Sequence, residues 1–307
     1  MDKNTRLKKL KEHLPLFLMM LPGIVYLLIN NYIPMAGIII AFKKLNFSKG
    51  IFASPWAGLE NFKFLFDSPD AWIITRNTLL YNVAFILVNM VVGIAIAILI
   101  CEVRNTNLKK LYQSAILLPF LMSMVILSYI VYALLSSENG LINNTVLPAL
   151  GISTIQWYQQ PEYWPFILVI ANCWKGVGYG CLIYIASLVG IDPSFYEAAR
   201  LDGASKWQEI TKITLPCLVP TIITLLLLSI GRIFYSDFGL FYQVPMNSGV
   251  LFPTTNVIDT YVYRALVEQG NISMSSAAGV YQSLVGFAVV MFSNWIVRRV
   301  DKDQALF

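Results

Sequence analysis

A short polar segment, residues 196–216, lies between two strongly apolar stretches and has the pattern of a binding element. Residues 196–201 are good helix formers, and Gly203 can adopt the positive φ that ends a helix. Beyond it, Trp207, Ile210 and Ile213 recur every three residues, which predicts a second helix with one apolar side. The charged residues of this stretch, Lys206, Glu209 and Lys212, are then expected to face elsewhere.

Two short amphipathic helices that meet at a bend would each be too short to be stable alone in water. Such a pair is typical of a segment that lies in a groove on a partner protein. The alternative is a connector that lies on the surface of the lipid.

Polar side chains inside the apolar stretches form a second group of candidates, because such groups are costly in a bilayer and usually line a cavity or find a partner. Aromatic rings can stack on sugar rings while amide and guanidinium groups bind hydroxyls, although an aromatic belt with a snorkelling arginine explains part of the same set. Arg232 and Asp237 could pair. The candidates are Asn89, Asn172, Trp174, Lys175, Tyr179, Tyr184, Arg232, Tyr235, Asp237, Tyr281 and Gln282.

Lys175 is the most unusual of these candidates, because it is a charge in the middle of a long apolar stretch. It either lies in a path for a polar solute or is paired across helices as a structural tether, and we favour the tether. Nearby, Gly176 and Gly180, with Gly178 between them, give a small-residue face for close helix packing.

Several kinds of chemistry are disfavoured by what the chain lacks. It contains no Gly-Lys pair and therefore no P-loop, so it is not expected to bind ATP in the usual way. A single histidine, His13, excludes His-based metal clusters and makes His-dependent triads improbable. The four cysteines have neither metal-site nor disulfide spacing.

The composition is that of an integral membrane protein. The 307 residues are 57% hydrophobic and 13% charged, with a mean hydropathy of +0.64. Six stretches reach the roughly 20 residues that a helix needs to cross a bilayer. They are predicted as an all-α bundle of six spans, at residues 14–42, 79–101, 113–135, 164–190, 217–235 and 277–297. The first contains Pro22 and Pro34 and is expected to tilt or kink rather than end early.

Lysine and arginine are unevenly divided between the connections. The N-terminal tail, the second connection, segment 196–216 and the C-terminal tail hold fourteen, whereas the other three connections hold six. Because basic residues stay on the cytoplasmic side, both termini and segment 196–216 are predicted to be cytoplasmic. The net charge of +5 is then a topology signal that requires no nucleic-acid partner. The last external connection, 236–276, is predicted to be a long polar loop that meets a partner or substrate, or is partly mobile.

The letters of segment 196–216 resemble a known motif. Glu-Ala-Ala, three residues, Gly, nine residues and Ile-x-Leu-Pro match every defined position of the cytoplasmic docking loop, the EAA loop, of ABC-importer permeases. The carbohydrate-uptake type 1 branch of these permeases has similar residues at the positions of Trp174-Lys175, Asp192-Pro193 and Thr214-Leu215-Pro216. Residues 258–264 and the ending Ala305-Leu306-Phe307 resemble the LplB-type permeases associated with oligosaccharide or polysaccharide uptake.

The resemblance implies a type I importer permease, with residues 1–13 as a basic cytoplasmic tail and 14–307 as the transmembrane domain, in a bacterial cytoplasmic membrane. It implies a second homologous permease, two ATP-binding subunits that hold the ATP and Mg, an extracytoplasmic solute-binding protein and a carbohydrate substrate. This chain itself is expected to bind no cofactor or metal and to be no enzyme. The coupling positions carried over are Tyr196, Glu197, Ala198, Ala199, Asp202, Gly203, Trp207, Ile213, Leu215 and Pro216.

Two other classes of protein are alternatives to an importer permease. A polytopic membrane enzyme would need a constellation of carboxylates or a nucleophile with its base, but the acids are scattered. A stand-alone secondary transporter would need no ATPase-docking loop and often shows an internal repeat, which the sequence does not show.

Overall fold

The computed structural model of the protein describes residues 3–300. The ending Ala305-Leu306-Phe307 lies outside this range, as does Lys302, one of the basic residues counted in the C-terminal tail. Within this range the chain is helical, with one isolated bridge between Lys43 and Trp56 instead of a sheet. Five of the described helices are long and apolar enough to cross a membrane, and a bent pair of helices makes up to six.

Span 1 is helical from His13 to Phe42. It consists of Lys3–Leu27, a π turn at Leu28–Tyr32, Ile33–Met35 and a 3-10 segment at Ala36–Phe42. The helix therefore continues through Pro22 and Pro34, and the prediction that these prolines do not end it is confirmed.

Spans 2, 4 and 6 are single long helices, Pro69–Glu102, Trp164–Val189 and Ile272–Val300. Span 2 begins ten residues before the predicted boundary, because Pro69 stands at the first helical position, where a missing N–H costs nothing. Its first turns bury the polar side chains of Asn77 and Thr78 against the segment between spans 5 and 6.

Span 3 is not the continuous helix predicted at residues 113–135. Two helices, Thr106–Leu121 and Met124–Leu135, meet there at 96°. Pro119 lies in the last turn of the first helix, and the Ser123 hydroxyl accepts the N–H of Ile126 to cap the second. A helix end and a helix start therefore face each other within the apolar stretch.

Span 5 corrects a second prediction. The second short helix of segment 196–216 is the beginning of one helix that runs from Lys206 to Ile230. It is built from Lys206–Glu209, a π turn at Ile210–Thr214 and Leu215–Ile230.

The π turns explain how helices pass prolines. Of the four five-residue π turns in residues 3–300, three end two residues before a proline, Pro34, Pro148 or Pro216. Proline lacks an N–H and its ring clashes with the carbonyl four residues earlier. A wider turn just before it changes that register and lets the helix continue.

The segment between spans 5 and 6 is folded, in contrast to the long polar loop predicted. It contains the helices Phe238–Gln243, Phe252–Thr255 and Ile258–Tyr263, followed by a π turn at Arg264–Glu268. The side chains of Phe241, Val244, Leu251 and Val257 are at most 1% exposed. They pack with spans 2, 3 and 4 in one hydrophobic cluster. The other short helices of the described chain are Gly50–Ala53, Glu60–Phe62, Phe64–Asp67, Ile142–Val146, Leu147–Ala149, Trp157–Gln159, Pro161–Tyr163, Pro193–Leu201 and Gly249–Leu251.

Spans 3 and 4 approach closely at Gly178, where a β-carbon would lie 2.1 Å from the carbonyl oxygen of Ile116. Gly176 and Gly180 make no such contact and lie beside a polar cavity instead. The predicted small-residue face is therefore used at its middle glycine only.

Candidate functional site

The first helix of the motif segment, Pro193–Leu201, has a strong start signal. The Asp192 carboxylate accepts the N–H of Ser194 at 2.9 Å, and Pro193 occupies the first helical position. That hydrogen bond lowers the pKa of Asp192, so this cap is charged at neutral pH. We call residues 192–214 the elbow.

Gly203 makes the bend of the elbow, as the sequence predicted. Its φ is +78°, a conformation that only glycine adopts without strain. The N–H of Gly203 donates to Arg200 at 3.1 Å, and the N–H of Ala204 donates to Ala199 at 2.9 Å. These two bonds form a Schellman motif that satisfies the last carbonyls of the helix.

The next helix begins two residues later. The Ser205 hydroxyl accepts the N–H of Gln208, while the Gln208 side chain accepts the N–H of Ser205 at 2.7 Å. This reciprocal capping box satisfies two donors at the helix start. One helix end and one helix start are thus specified within ten residues, 199–208.

Trp207 and Glu209 lie on different sides of the second helix, as the periodicity predicted. Trp207 is 71% exposed, whereas Glu209 is 3% exposed and packs against the protein itself, which the periodicity did not predict. The Glu209 carboxylate lies 2.8 Å from the Arg200 guanidinium and 2.9 Å from the Lys206 ammonium. Lys206 also contacts Glu102, at the end of span 2, at 3.0 Å. The two ion pairs of Glu209 compensate the burial of its carboxylate.

A neutral contact joins the two arms of the elbow. The Tyr196 hydroxyl lies 3.0 Å from the Thr214 hydroxyl, which itself donates to the Glu209 carbonyl at 3.3 Å. Because Thr214 uses its hydrogen there, Tyr196 is the donor to Thr214. The first arm is therefore fixed to the π turn of the second.

The other residues predicted to couple to a partner lie on the elbow or directly after it. Glu197 and Ala198 are exposed on the first arm, and Leu215 and Pro216 begin the regular helix that follows the π turn. Ala199, Asp202, Gly203 and Ile213 line a groove of about 240 Å³ inside the bend. Sequence reasoning missed Arg200, Glu209 and Thr214 as functional positions, although opposite charges three residues apart, at Lys206 and Glu209, were a signal.

A polar cavity of about 400 Å³ lies between spans 2, 4 and 5. Six of the eleven path candidates line it, namely Asn89, Asn172, Tyr179, Tyr184, Arg232 and Tyr235. Asn82 and Ser229 line it too and were missed, although each is a polar residue in an apolar run. The Asn89 amide donates to the Asn172 oxygen at 2.8 Å, and the Asn89 oxygen is left buried without a partner among the described residues.

The other five candidates lie outside the lining of this cavity. Trp174 lines a separate apolar groove of about 630 Å³. Asp237 caps the helix Phe238–Gln243, and among the described residues it forms no ion pair with Arg232. The Tyr281 hydroxyl bonds Thr75 at 3.0 Å, and Gln282 donates to the Phe234 carbonyl at 2.6 Å. These contacts fix helices to each other.

Lys175 is a tether, the interpretation that the sequence analysis favoured. Its ammonium donates to the carbonyl of Phe120 at 3.1 Å and to that of Met122, and it lies over the Phe120 ring. These carbonyls end the first half of span 3, where a cation is favourable. The Phe120 ring also stacks on Tyr179, a cavity residue, at 5.2 Å.

The chain is similar to proteins of one transport class. The profile of the family described as binding-protein-dependent transport system inner membrane component matches residues 76–302. The chain belongs to this family. It is a multi-pass protein of the bacterial inner membrane, and its fold is that of an ABC-importer permease, as the resemblance predicted.

Two similar transport proteins match nearly the whole chain. The chain is 34% identical to the polygalacturonan/rhamnogalacturonan transport system permease protein YteP of Bacillus subtilis, over 98% of this chain and 94% of that protein. It is 32% identical to Protein LplB of the same organism, over 96% and 92%. A solved bacterial ABC transporter that imports the acidic polysaccharide alginate contains a chain with a TM-score of 0.88 and 33% identity, covering 97% of this chain and 99% of that one.

A further solved structure shows the bacterial alginate ABC transporter in complex with its alginate-pentasaccharide-bound periplasmic protein. Its matching chain has a TM-score of 0.86 and 33% identity, with 96% and 98% coverage. The predicted LplB-type resemblance is confirmed.

Proposed function

We propose that this chain forms, with a second homologous permease, the membrane path of an ATP-driven importer of an oligosaccharide or polysaccharide. Two cytoplasmic subunits would bind and hydrolyse ATP with Mg, and an extracytoplasmic solute-binding protein would deliver the glycan. The permease itself would bind neither ATP nor metal, with residues 14–307 as its transmembrane domain. In the described part of the chain, no three His, Cys, Asp or Glu side chains group as a metal site would require.

One observation carries the proposal: the elbow and the polar cavity are connected by the same three helices. Span 4 ends at Val189 and leads into the elbow through Asp192. Span 5 is continuous with its second arm, and span 2 is joined to Lys206 through Glu102. From Lys206 to Ile230 the helix extends about 37 Å at 1.5 Å per residue. A force on the elbow therefore reaches the cavity wall without crossing a flexible loop.

The surface of the elbow supports docking to the ATP-binding subunits. Phe195, Leu201 and Trp207 are 57%, 90% and 71% exposed. Large apolar side chains on a charged, folded turn indicate a surface that a protein partner covers. In the proposed cycle, ATP-driven closure of the partner subunits moves the elbow, spans 2, 4 and 5 follow, and the cavity opens towards the solute-binding protein. Hydrolysis resets the arrangement.

Docking is tested by purifying the intact assembly with Trp207→Ala and, as a matched control, Trp72→Ala, whose side chain is 68% exposed at the start of span 2. We expect Trp207→Ala to reduce the yield of co-purified ATP-binding subunit and Trp72→Ala to leave it unchanged. Absence of any P-loop subunit from the wild-type assembly would contradict the proposal. ATP hydrolysis stimulated by solute-binding protein loaded with candidate glycans then tests import.

Both termini and the elbow are proposed to be cytoplasmic. A cysteine-free variant carrying Lys110→Cys, an exposed position at the start of span 3 on the same side as the elbow, should react with an impermeant maleimide only after cells are permeabilised. Ser153→Cys, in the external connection between spans 3 and 4, should react in intact cells. The reverse pattern would overturn the orientation.

A further inference from the structure

The polar cavity is lined by one cation, Arg232, that forms no ion pair with the described residues of the chain. Arg232 is the only charged residue among those that line it, and all of them lie in the described part of the chain. Its side chain is exposed to the cavity and takes part in none of the ion pairs among the described residues. The nearest acid in sequence, Asp237, is occupied as a helix cap.

Charged residues beside apolar spans are rare, and those that face a cavity usually mark the path of an ion or substrate. Arginine presents a planar fork of N–H donors that matches a carboxylate with two parallel bonds. No Asp or Glu lines the cavity, so an anion entering it meets attraction without local repulsion.

The remaining polar groups of the cavity suit hydroxyls. The buried oxygen of Asn89 has no donor, and Asn82, Asn172 and Ser229 add neutral donors and acceptors. Tyr179 and Tyr235, 55% and 43% exposed, offer ring surfaces. The cavity volume of about 400 Å³ falls within the range of small-molecule sites, about 300–1,000 Å³.

We infer that the transported glycan carries carboxylates, as a uronic-acid oligosaccharide does, and that Arg232 is the permease residue that selects for them. The inference rests on the proposed function of glycan import. A uronate unit would place its carboxylate on the Arg232 guanidinium, and its hydroxyls would bind the neutral amides. Specificity would come from the charge, because neutral polar groups serve neutral and acidic sugars alike.

The test uses the complete transporter in proteoliposomes with its own solute-binding protein. Uptake of an oligogalacturonate is compared with uptake of the same oligomer after its carboxyls are reduced to alcohols, for wild type, Arg232→Gln and Arg232→Lys. The solute-binding protein is identical in every assay. The ratio of variant to wild-type uptake for each glycan therefore reports the effect of the permease substitution alone. Ser229→Ala is the control within the cavity.

We expect Arg232→Gln to lower oligogalacturonate uptake about tenfold while uptake of the reduced oligomer changes little, since bonds to a charged group are stronger than neutral ones. Arg232→Lys should retain an intermediate rate, and Ser229→Ala should affect both glycans equally. Asn82→Asp, which places a negative charge in the cavity, should lower uptake of the acidic glycan selectively and serves if Arg232→Gln fails to assemble.

Equal loss of both glycans in Arg232→Gln, or no loss of either, would overturn the role of Arg232. Wild-type uptake confined to the reduced oligomer would overturn the assignment of an acidic substrate and leave glycan import standing. If wild type imports no glycan and its ATP hydrolysis responds to none, the proposed function itself fails, and the inference with it.

Discussion

The elbow and the polar cavity lie at two ends of the same helices, and they differ in whether their charged residues form ion pairs. In the elbow, Arg200, Glu209, Lys206 and Glu102 form a chain of ion pairs within the protein. In the cavity, Arg232 has no counter-ion among the residues that line it. A charge that is neutralised internally holds helices in fixed positions, whereas one that is left unpaired is available to a ligand.

The two regions also differ in how far along the chain their contacts reach. The bend of the elbow depends on bonds between residues at most five positions apart, such as Ala204 to Ala199 and Ser205 to Gln208. The cavity brings together Asn89, Asn172 and Arg232 from three spans. Local contacts make a rigid unit that moves as one body, and long-range contacts make a space whose shape changes when the spans move.

The largest effect is expected when the rigid bend is removed. Gly203→Pro is incompatible with φ of +78° and deletes the N–H that donates to Arg200. We expect it to abolish uptake and the ATP hydrolysis stimulated by solute-binding protein while membrane insertion is preserved. Gly203→Ala is the graded comparison, because no atom lies within 4 Å of its β-carbon position and only backbone strain is added. Normal uptake by Gly203→Pro would remove the coupling role.

A smaller effect is expected from the ion pairs of the elbow. Glu209→Gln leaves Arg200 and Lys206 without the carboxylate that joins them, so the two arms should move less as one body. We expect uptake per ATP hydrolysed to fall by about tenfold, a common size for coupling between sites. Glu102→Gln breaks only the half-exposed pair between Glu102 and Lys206, and it should have a smaller effect because surface pairs contribute little. Equal effects of the two variants would contradict the distinction.

The contrast between a cation that binds the protein itself and one without an ion pair can be tested at Lys175 and Arg232. Lys175→Met removes the ammonium that caps the Phe120 and Met122 carbonyls, and we expect it to lower the free energy of unfolding by about 1–3 kcal/mol. Arg232→Gln, which breaks no ion pair of the described chain, should leave thermal unfolding in detergent nearly unchanged. A larger loss of stability in Arg232→Gln than in Lys175→Met would reverse the assignment of tether and ligand group.

The same difference explains what could be predicted from sequence. The six apolar stretches and the bend at Gly203 follow from residues that are neighbours along the chain. The break in span 3 depends on Lys175, more than 50 residues away, which stabilises the exposed carbonyls. The burial of Glu209 depends on its ion pairs with Arg200 and Lys206, whereas apolar periodicity places Glu209 away from Trp207 without predicting that it is buried. Tyr281 and Gln282 were candidates for the solute path, but they form hydrogen bonds between helices. Their partners are distant in sequence and could not be identified from it.

The smallest effect is expected at the neutral contact between the two arms. Tyr196→Phe keeps the ring and removes only the hydroxyl that donates to Thr214, which should lower the free energy of unfolding by about 0.5–1.5 kcal/mol. Thr214 retains its bond to the Glu209 carbonyl, so the π turn should persist and uptake should decline only slightly. Uptake measured beside Glu209→Gln provides the comparison. If Tyr196→Phe uncouples transport as strongly as Glu209→Gln, the hydroxyl bond and not the ion pairs holds the elbow together.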